Sequence, residues 1–236
     1  IQKKDVQSYF NFMHKNFFDL VDIKSENINI PNGNVKAEEL RDSCIAYERK
    51  IKELGGIDLQ ILGIGRTGHI GFNEPGSHLN SQTRTITLDH LTRFDAISTF
   101  QGIENVPRKA VTMGIQSILS AKKIILMAWG TNKSEIIQKA VEGQITDKTP
   151  TTYLQYHKNT TLILDEEAAS ELTRIKTPWL VGSCDWKDAI SSKAIIWLCE
   201  KMNKSILKLT DEDYNQNGMS DLLALNGSSY DINIQM

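Results

Sequence analysis

Short apolar runs of strand length alternate with helical patterns along residues 59–172, and this alternation constrains the fold more than any other feature. Strands are predicted at residues 59–64, 85–88, 124–128 and 161–164, and helices at residues 133–141 and 166–172. Parallel strands need long crossover connections that are usually helices, so the pattern predicts an open, doubly wound α/β fold. Ligands bind such sheets beyond the carboxyl ends of the strands, which places the chemistry in the loops after Ile64 and Ala128.

A helix before the first of these strands is predicted from apolar residues spaced three or four apart. The residues of this stripe are Leu40, Cys44, Tyr47, Ile51 and Leu54. Asn34 belongs to the residue types that cap helices and is expected to begin this one. The glycine pair at residues 55–56 is expected to end it.

Charge and cysteine content exclude several classes of protein. The 236 residues include 27 Lys and Arg against 29 Asp and Glu, a net charge of -2. This balance provides no basic footprint for nucleic acid or for a membrane surface, so a small molecule is the expected partner. No apolar run approaches the ~20 residues that cross a bilayer. The three cysteines are odd in number and lack C-x-x-C spacing, which favours reduced thiols in the cytoplasm.

The loop after the first predicted strand concentrates the candidate catalytic residues. Gly63, Gly65 and Gly68 allow a ligand to approach the backbone closely. His69 and Glu74 add two titratable groups, and such a pair suits proton transfer at a sugar ring near neutral pH, with the carboxylate orienting the imidazole. These residues alone support equally an alternative interpretation, in which the loop is hydrogen-bonded but has no catalytic role.

Three other motif interpretations fit this chain less well. The glycines of the loop match G-x-G-x-x-G, but no helix pattern follows them, which argues against dinucleotide binding. Lys133 lies at the start of a predicted helix, in a segment that lacks the first glycine of a Walker loop. It is interpreted either as a phosphate ligand or as an ordinary solvated lysine. The five histidines are scattered along the chain, so no metal site is expected.

The segment Gly-His-Ile-Gly-Phe-Asn-Glu-Pro at residues 68–75 resembles the signature of the glucosamine-6-phosphate deaminase family. Further segments resemble that family in the same order, at residues 8–19, 27–29, 83–84, 106–110, 112–114, 133, 141–143 and 154–155. The resemblance implies a Rossmann-like three-layer α/β sandwich with a mainly parallel sheet and no cofactor. It also implies a homo-oligomeric, cytoplasmic enzyme that acts on a sugar phosphate.

The reaction of the family converts glucosamine 6-phosphate and water to fructose 6-phosphate and ammonia. The resemblance implies that His69 assists opening of the sugar ring and that Glu74 orients this histidine. It also implies that Lys133 binds the phosphate and that the glycines of the loop, Gly63, Gly65 and Gly68, contact the substrate.

Several positions depart from the family pattern. Thr67 stands where the family has an aspartate of the same proton-handling group, and a threonine can hydrogen-bond but carries no charge at neutral pH. Ser98-Thr99 replaces a phosphate-binding arginine, which leaves Arg93 as a substitute. Arg84 matches a residue of an allosteric phosphate site, but Ile86 replaces its lysine partner, so a lone surface arginine is the favoured interpretation.

The resemblance also implies a preceding segment with the aspartate that abstracts the C2 proton. The chain is therefore expected to be truncated at its N-terminus and inactive as it stands. Residues 1–179 are predicted to form the deaminase-like domain and residues 180–236 a C-terminal extension or linker. In this extension a helix is predicted at residues 188–204, and the polar tail from Asp211 onward is expected to be poorly packed.

Two alternative functions remain open at this point. A 6-phosphogluconolactonase-like hydrolase shares the fold and a Gly-His pair in this loop, but a Thr-Ala-Ser-Leu-Phe segment would be expected after the histidine. A non-catalytic, sugar-phosphate-binding regulator would keep the binding loop and lose the chemistry, and Thr67 favours this alternative.

Overall fold

The computed structural model describes residues 1–235, and its five strands form two separate sheets. The strands are β1 (Leu59–Leu62), β2 (Arg84–Thr87), β3 (Lys109–Thr112), β4 (Lys123–Ala128) and β5 (Thr160–Leu164). β1, β4 and β5 form a parallel sheet in the order β1-β4-β5, in which Leu62 pairs with Leu126 and Leu126 pairs with Leu162. The predicted Rossmann-like α/β class with a mainly parallel sheet is therefore confirmed.

β2 and β3 form an antiparallel pair outside the parallel sheet, with Arg84 opposite Thr112. The strand predicted at residues 85–88 corresponds to β2. β3 was not predicted from the sequence, because Lys-Ala-Val-Thr neither alternates between apolar and polar residues nor forms an apolar run. The pair matters for the site, since Arg84 and Thr112 at one end of it contact the segment after β1.

The helices of the larger part of the chain are α1 (Tyr9–Asn16), α2 (Leu40–Glu53), α3 (His90–Asp95), α4 (Ile97–Phe100), α5 (Ile115–Leu119), α6 (Ser134–Glu142) and α7 (Glu166–Ala169). Ile124 and Leu126 of β4 are fully buried, as are Ile115 of α5 and Ile137 of α6. Buried residues alternate with more exposed residues along β4, so one face of the sheet is densely packed. This face supports the strand ends at which the loops of the site begin.

The start of α2 corrects the sequence analysis. Asn34 does not cap the helix; instead a 3-10 turn at Ala37–Glu39 leads directly into α2 at Leu40. The backbone of this turn leads into the first turn of the helix without a capping side chain. The prediction that Asn34 caps the helix was therefore wrong. The end of the helix is as expected, since Gly55 and Gly56 both have positive φ, which glycine adopts at no steric cost.

The C-terminal residues form a compact helical unit of their own. Its helices are α8 (Thr173–Lys176), α9 (Asp188–Met202), α10 (Asp211–Gln216), α11 (Ser220–Asn226) and α12 (Ser229–Gln235). Its core consists of Trp179, Ala194, Ile195, Leu198, Leu209, Tyr214, Met219, Leu222, Leu223 and Ile232. The expectation of a poorly packed tail was wrong, because this polar segment also carries apolar residues that reach one core.

Capping and buried hydrogen bonds explain how the polar residues of this tail are accommodated. Thr210 and Asp213 form a capping box at the start of α10, and Lys204 Nζ pairs with the Asp213 carboxylate at 2.8 Å. The fully buried Tyr214 donates its hydroxyl to Asn233 Oδ1 at 2.8 Å. The Asp213 carboxylate and the Tyr214 hydroxyl therefore have partners, which offsets the cost of burying them.

The two compact units divide between Ala168 and Ala169, whereas the sequence analysis placed the boundary after residue 179. In residues 1–235, helices both long and apolar enough to cross a bilayer are absent.

Candidate active site

The loop after β1 is closed by its own backbone. The Gly65 amide donates to the His69 carbonyl at 2.9 Å, and the Gly68 amide donates to the Gly65 carbonyl at 3.0 Å. The Gly68 carbonyl in turn accepts the amide of Thr151 at 2.9 Å, and the Thr151 hydroxyl bonds to the same oxygen. This tight turn brings the His69 ring back over Gly65.

The three glycines of the loop have different structural roles. A Cβ atom on Gly65 would lie 2.0 Å from His69 Cε1 and 2.1 Å from Nε2, so only glycine leaves room for the ring. Gly68 has a φ of +79, and its Cβ would lie 2.6 Å from Thr149 Cγ2. Gly63 has no neighbouring atom within 4 Å of a Cβ position. Contact of these glycines with substrate stays a prediction.

Gly65→Ala is expected to lower the kcat/KM of a reaction that depends on His69 by about 100-fold or more, because the added methyl group displaces the imidazole from its partners. Kinetics and the imidazole ¹⁵N resonances of His69 are the measurements. In the matched variant Gly63→Ala the ring resonances keep their positions, because that Cβ has open space. Gly65→Ala with unshifted ring resonances would contradict the prediction.

His69 and Glu74 form a close, shielded pair. His69 Nδ1 lies 3.2 Å from Glu74 Oε2, and their side chains are only 15% and 10% exposed. The hydroxyl oxygens of two threonines also face Nδ1, that of Thr67 at 3.0 Å and that of Thr92 at 3.4 Å. The structure thus brings His69, Glu74 and Thr67 together, as the sequence analysis expected of one site.

The electrostatics of Glu74 favour its ionised form. Burial alone would raise the pKa of this carboxyl group, but hydrogen bonds from His69 and Thr92, the nearby imidazole charge and the Asp89 amide together lower it. A carboxylate only accepts hydrogen bonds, so the neutral imidazole facing it carries its proton on Nδ1. Nε2, which has no hydrogen-bond partner within residues 1–235, then presents a lone pair.

Arg84 holds the segment that carries Glu74. Its Nη1 donates to Asn73 Oδ1 at 2.8 Å and its Nη2 to Ser77 Oγ at 2.9 Å. The fully buried Asn73 also donates to the carbonyls of Ile70 and Met113. Arg84 is half-buried, and burial lowers its pKa. The interpretation as a lone surface arginine was therefore wrong, while its assignment to an allosteric site stays a prediction.

Lys133 reaches the same loop from the other side. It ends a 3-10 turn that precedes α6, and its Nζ donates to the Ile64 carbonyl at 3.0 Å, just beyond β1. The ammonium group is therefore held at the carboxyl end of the sheet, where a ligand is expected. This placement argues against an ordinary solvated lysine, and phosphate binding by Lys133 stays a prediction.

Two residues that contact the pair were not predicted from the sequence. Thr92 faces His69 Nδ1, and the Asp89 amide donates to Glu74 Oε1 at 3.3 Å. Both come from α3 and its cap, and no motif or spacing in the sequence signals this approach. Arg93, considered as a phosphate ligand, instead donates through Nη2 to the carbonyls of Ile103 and Val106, which occupy one side of its guanidinium.

Metal ligands do not cluster in the part of the chain that the structure describes: residues 1–235 contain no group of three or more His, Cys, Asp or Glu side chains able to hold an ion.

Comparison with known proteins places this site in a family. A glucosamine-6-phosphate deaminase from Thermoanaerobacter sp. is 51% identical over 164 residues, which cover 70% of this chain and 64% of that protein. A protein of Bacteroides thetaiotaomicron described as glucosamine-6-phosphate deaminase-like is 49% identical over 231 residues, 98% of this chain and 35% of that protein. The chain thus spans less than two thirds of the length of either relative.

A solved structure of a monomeric glucosamine-6-phosphate deaminase matches with a TM-score of 0.70 and 43% identity, over 72% of this chain and 70% of that one. The family model of glucosamine-6-phosphate isomerases and 6-phosphogluconolactonases matches residues 1–163, which include β1 to β4, the loop of His69 and Glu74, and Lys133. The chain belongs to the glucosamine-6-phosphate isomerase/6-phosphogluconolactonase family.

Proposed function

We propose that the protein converts glucosamine 6-phosphate and water to fructose 6-phosphate and ammonia. The observation that carries the proposal is the His69–Glu74 contact of 3.2 Å at the carboxyl end of β1, with Lys133 held at the same end. The relatives named as deaminases support the same reaction. Among the described residues of this site, none favours a lactonase over a deaminase.

In this proposal His69 opens the sugar ring. Its Nε2 takes the proton of the hydroxyl on C1, and the ring oxygen gains a proton as its bond to C1 breaks, so the proton count is unchanged. Glu74 and the proton on Nδ1 hold the imidazole in the required tautomer and stabilise the charge that forms when Nε2 is protonated. Positioning by the closed loop supplies the orientation that proton transfer needs.

Isomerisation then moves a proton from C2 to C1. The aldehyde carbon is reduced to an alcohol carbon, while C2 is oxidised to an iminium carbon that still bears the nitrogen. Water adds to this carbon and ammonia leaves, which gives the ketose phosphate. Lys133, together with backbone amides of the loop, would offset the phosphate charge and fix the open chain opposite His69.

The test of this proposal separates three functions in one set of assays on the natural protein. Ammonia and fructose 6-phosphate formed in equal amounts from glucosamine 6-phosphate support the deaminase. Hydrolysis of 6-phosphogluconolactone without ammonia release would replace it with the lactonase. Calorimetric binding of the sugar phosphate without turnover would replace it with the non-catalytic regulator.

Two further parts of the proposal rest on the resemblance alone. We keep a homo-oligomer and a cytoplasmic location as predictions, although the solved relative is described as monomeric. Light scattering of the natural protein gives its mass in solution, and a mass of one chain would remove the oligomer from the proposal.

A further inference from the structure

The side chain of Arg84, the first residue of β2, bridges two residues of the segment that carries Glu74. Its Nη1 donates to Asn73 Oδ1 at 2.8 Å and its Nη2 to Ser77 Oγ at 2.9 Å. Both acceptors are buried. The planar guanidinium presents its donors in a fixed geometry, so it also fixes the two acceptors relative to each other. Glu74 lies between these acceptors in the chain.

Asn73 transmits this constraint to the rest of the loop. Its Nδ2 donates to the Ile70 carbonyl at 2.9 Å and to the Met113 carbonyl at 2.8 Å, while its Oδ1 accepts from Arg84. A half-turn of the buried amide would exchange its oxygen and nitrogen and break all three hydrogen bonds. The side chain therefore has one orientation, and it fixes the backbone next to Glu74.

Neighbouring residues anchor Arg84 in turn. The amide of Thr83 donates to Glu48 Oε1 of α2 at 2.7 Å, and the Thr83 hydroxyl donates to the same oxygen. Thr112 pairs with Arg84 across the two strands, and its hydroxyl oxygen accepts the amide of Phe72 at 3.0 Å. This end of the β2–β3 pair is therefore a firm support for the segment that follows His69.

The contact between Glu74 and His69 is sensitive to the position of this segment. Glu74 Oε2 lies 3.2 Å from His69 Nδ1, which is the upper end of the usual range for a hydrogen bond from nitrogen to oxygen. A displacement of a few tenths of an ångström, roughly, is enough to break such a contact. The acceptors of Arg84 are neutral oxygens, so the guanidinium orients the segment and does not neutralise a charge on it.

We infer that Arg84 is a positioning residue that bridges Asn73 and Ser77 and so holds Glu74 within hydrogen-bond reach of His69 Nδ1. Arg84 acts through Glu74 and His69, and both of its described donors are used within the chain. Its role in catalysis rests on the proposed function, whereas its effect on the His69 imidazole does not.

Arg84→Met removes both donors and keeps an unbranched side chain of similar reach. Glu74 is then free to move away from Nδ1, so the ring proton of His69 shifts toward Nε2, which is the nitrogen that carries it in free imidazole side chains. The ratio of the Nδ1-protonated to the Nε2-protonated tautomer is expected to fall about 5-fold, the equivalent of one ordinary hydrogen bond. Imidazole ¹⁵N shifts of the natural protein without substrate, at a pH where the ring is neutral, measure this ratio, and His69→Gln identifies the resonances.

Two further variants test the bridging geometry. Arg84→Lys keeps the charge but has a single nitrogen in place of the fork, so it is expected to leave the tautomer ratio lowered. Ser77→Ala removes one acceptor and is expected to lower the ratio by a smaller factor. In the Arg84→Met background Ser77→Ala is expected to add nothing, because both changes break the same contact.

Kinetics separate positioning from ligand binding. Arg84→Met is expected to lower kcat for ammonia release by about 10–100-fold and to leave KM within a few-fold, because the arginine orients the reacting groups and does not touch the substrate. Arg49→Met, at an exposed position on α2, is the matched control and is expected to leave both the kinetics and the tautomer ratio unchanged.

The outcomes distinguish this inference from the proposed function. An unchanged tautomer ratio in Arg84→Met overturns the inference, and so does full recovery in Arg84→Lys or a raised KM at unchanged kcat. If Arg84→Met does not fold, as judged by thermal unfolding, the ratio in Ser77→Ala decides. A lowered ratio in a protein whose unsubstituted form releases no ammonia supports the role of Arg84 and contradicts the deaminase.

Discussion

Glu74→Gln is expected to lower kcat/KM for ammonia release by about 10²–10⁴ in the natural protein. The glutamine side chain has nearly the same shape, so Arg84 keeps its hydrogen bonds to Asn73 and Ser77. The change acts on the imidazole: an amide has an NH₂ group that donates to Nδ1, which moves the ring proton to Nε2. The lone pair that removes the sugar proton is then lost.

The charge of Glu74 contributes a second effect in the same direction. An ionised carboxylate 3.2 Å from Nδ1 stabilises the imidazolium that forms during ring opening, and a neutral amide does not. Because the pKa of Glu74 is lowered, the carboxylate is charged throughout the neutral range and down to a pH below its usual titration. The stabilisation is therefore fully present at neutral pH in the unsubstituted protein.

Steady-state kinetics of Glu74→Gln beside Glu53→Gln provide the comparison. Glu53 is an exposed carboxylate at the end of α2, and its replacement is expected to leave the kinetics unchanged. A Glu74→Gln protein within a few-fold of the original rate would exclude Glu74 from the proton transfer, provided that its thermal unfolding is unaltered.

Leu198→Ala is expected to lower the free energy of unfolding of the C-terminal unit by about 2–5 kcal/mol. Leu198 is fully buried in the core formed by α9 to α12, with Trp179 and Tyr214 among the members of that core. Removing its branched end loses apolar burial and leaves a cavity that a close-packed interior fills only in part. A loss of this size is a large fraction of the stability of a small unit.

Ile196→Ala on the same helix is the matched control. Ile196 is 56% exposed, so the substitution removes a similar volume from the surface and is expected to change the stability by less than about 0.5 kcal/mol. Urea unfolding followed by tryptophan fluorescence is the measurement, because Trp179, Trp186 and Trp197 all lie in this unit. Equal effects of the two substitutions would mean that the core of the C-terminal unit is poorly packed.

The positions of the main elements are determined by local sequence. β4 and β5 follow the apolar runs predicted at residues 124–128 and 161–164, and α2 follows the stripe from Leu40 to Ile51. Periodicity is a property of neighbouring residues, so one sequence displays it. The start of α2 was missed because a 3-10 turn at Ala37–Glu39, and not a capping side chain, precedes the helix. The short strand β3 was missed because it is defined by its pairing with β2, about 25 residues away along the chain.

The sequence also determined which residues form the candidate site on the loop after β1. Thr67, His69 and Glu74 lie within eight consecutive residues, at 67–74, so the chain has little freedom to separate them. Gly65 is also visible in the sequence, as part of the G-x-G-x-x-G spacing. Glycine is required there because a Cβ atom would collide with the His69 ring, and not because a dinucleotide binds.

Only the tertiary structure decided what surrounds this loop. Thr92 lies 23 residues from His69 along the chain, Lys133 lies 69 residues from Ile64, and Arg84 lies 11 residues from Asn73. The order β1-β4-β5 and the docking of α3 bring these residues together, and neither is encoded by the spacing of any short segment. The physical reason is that local patterns choose helix or strand, whereas burial of the apolar faces against one another chooses which distant side chains meet.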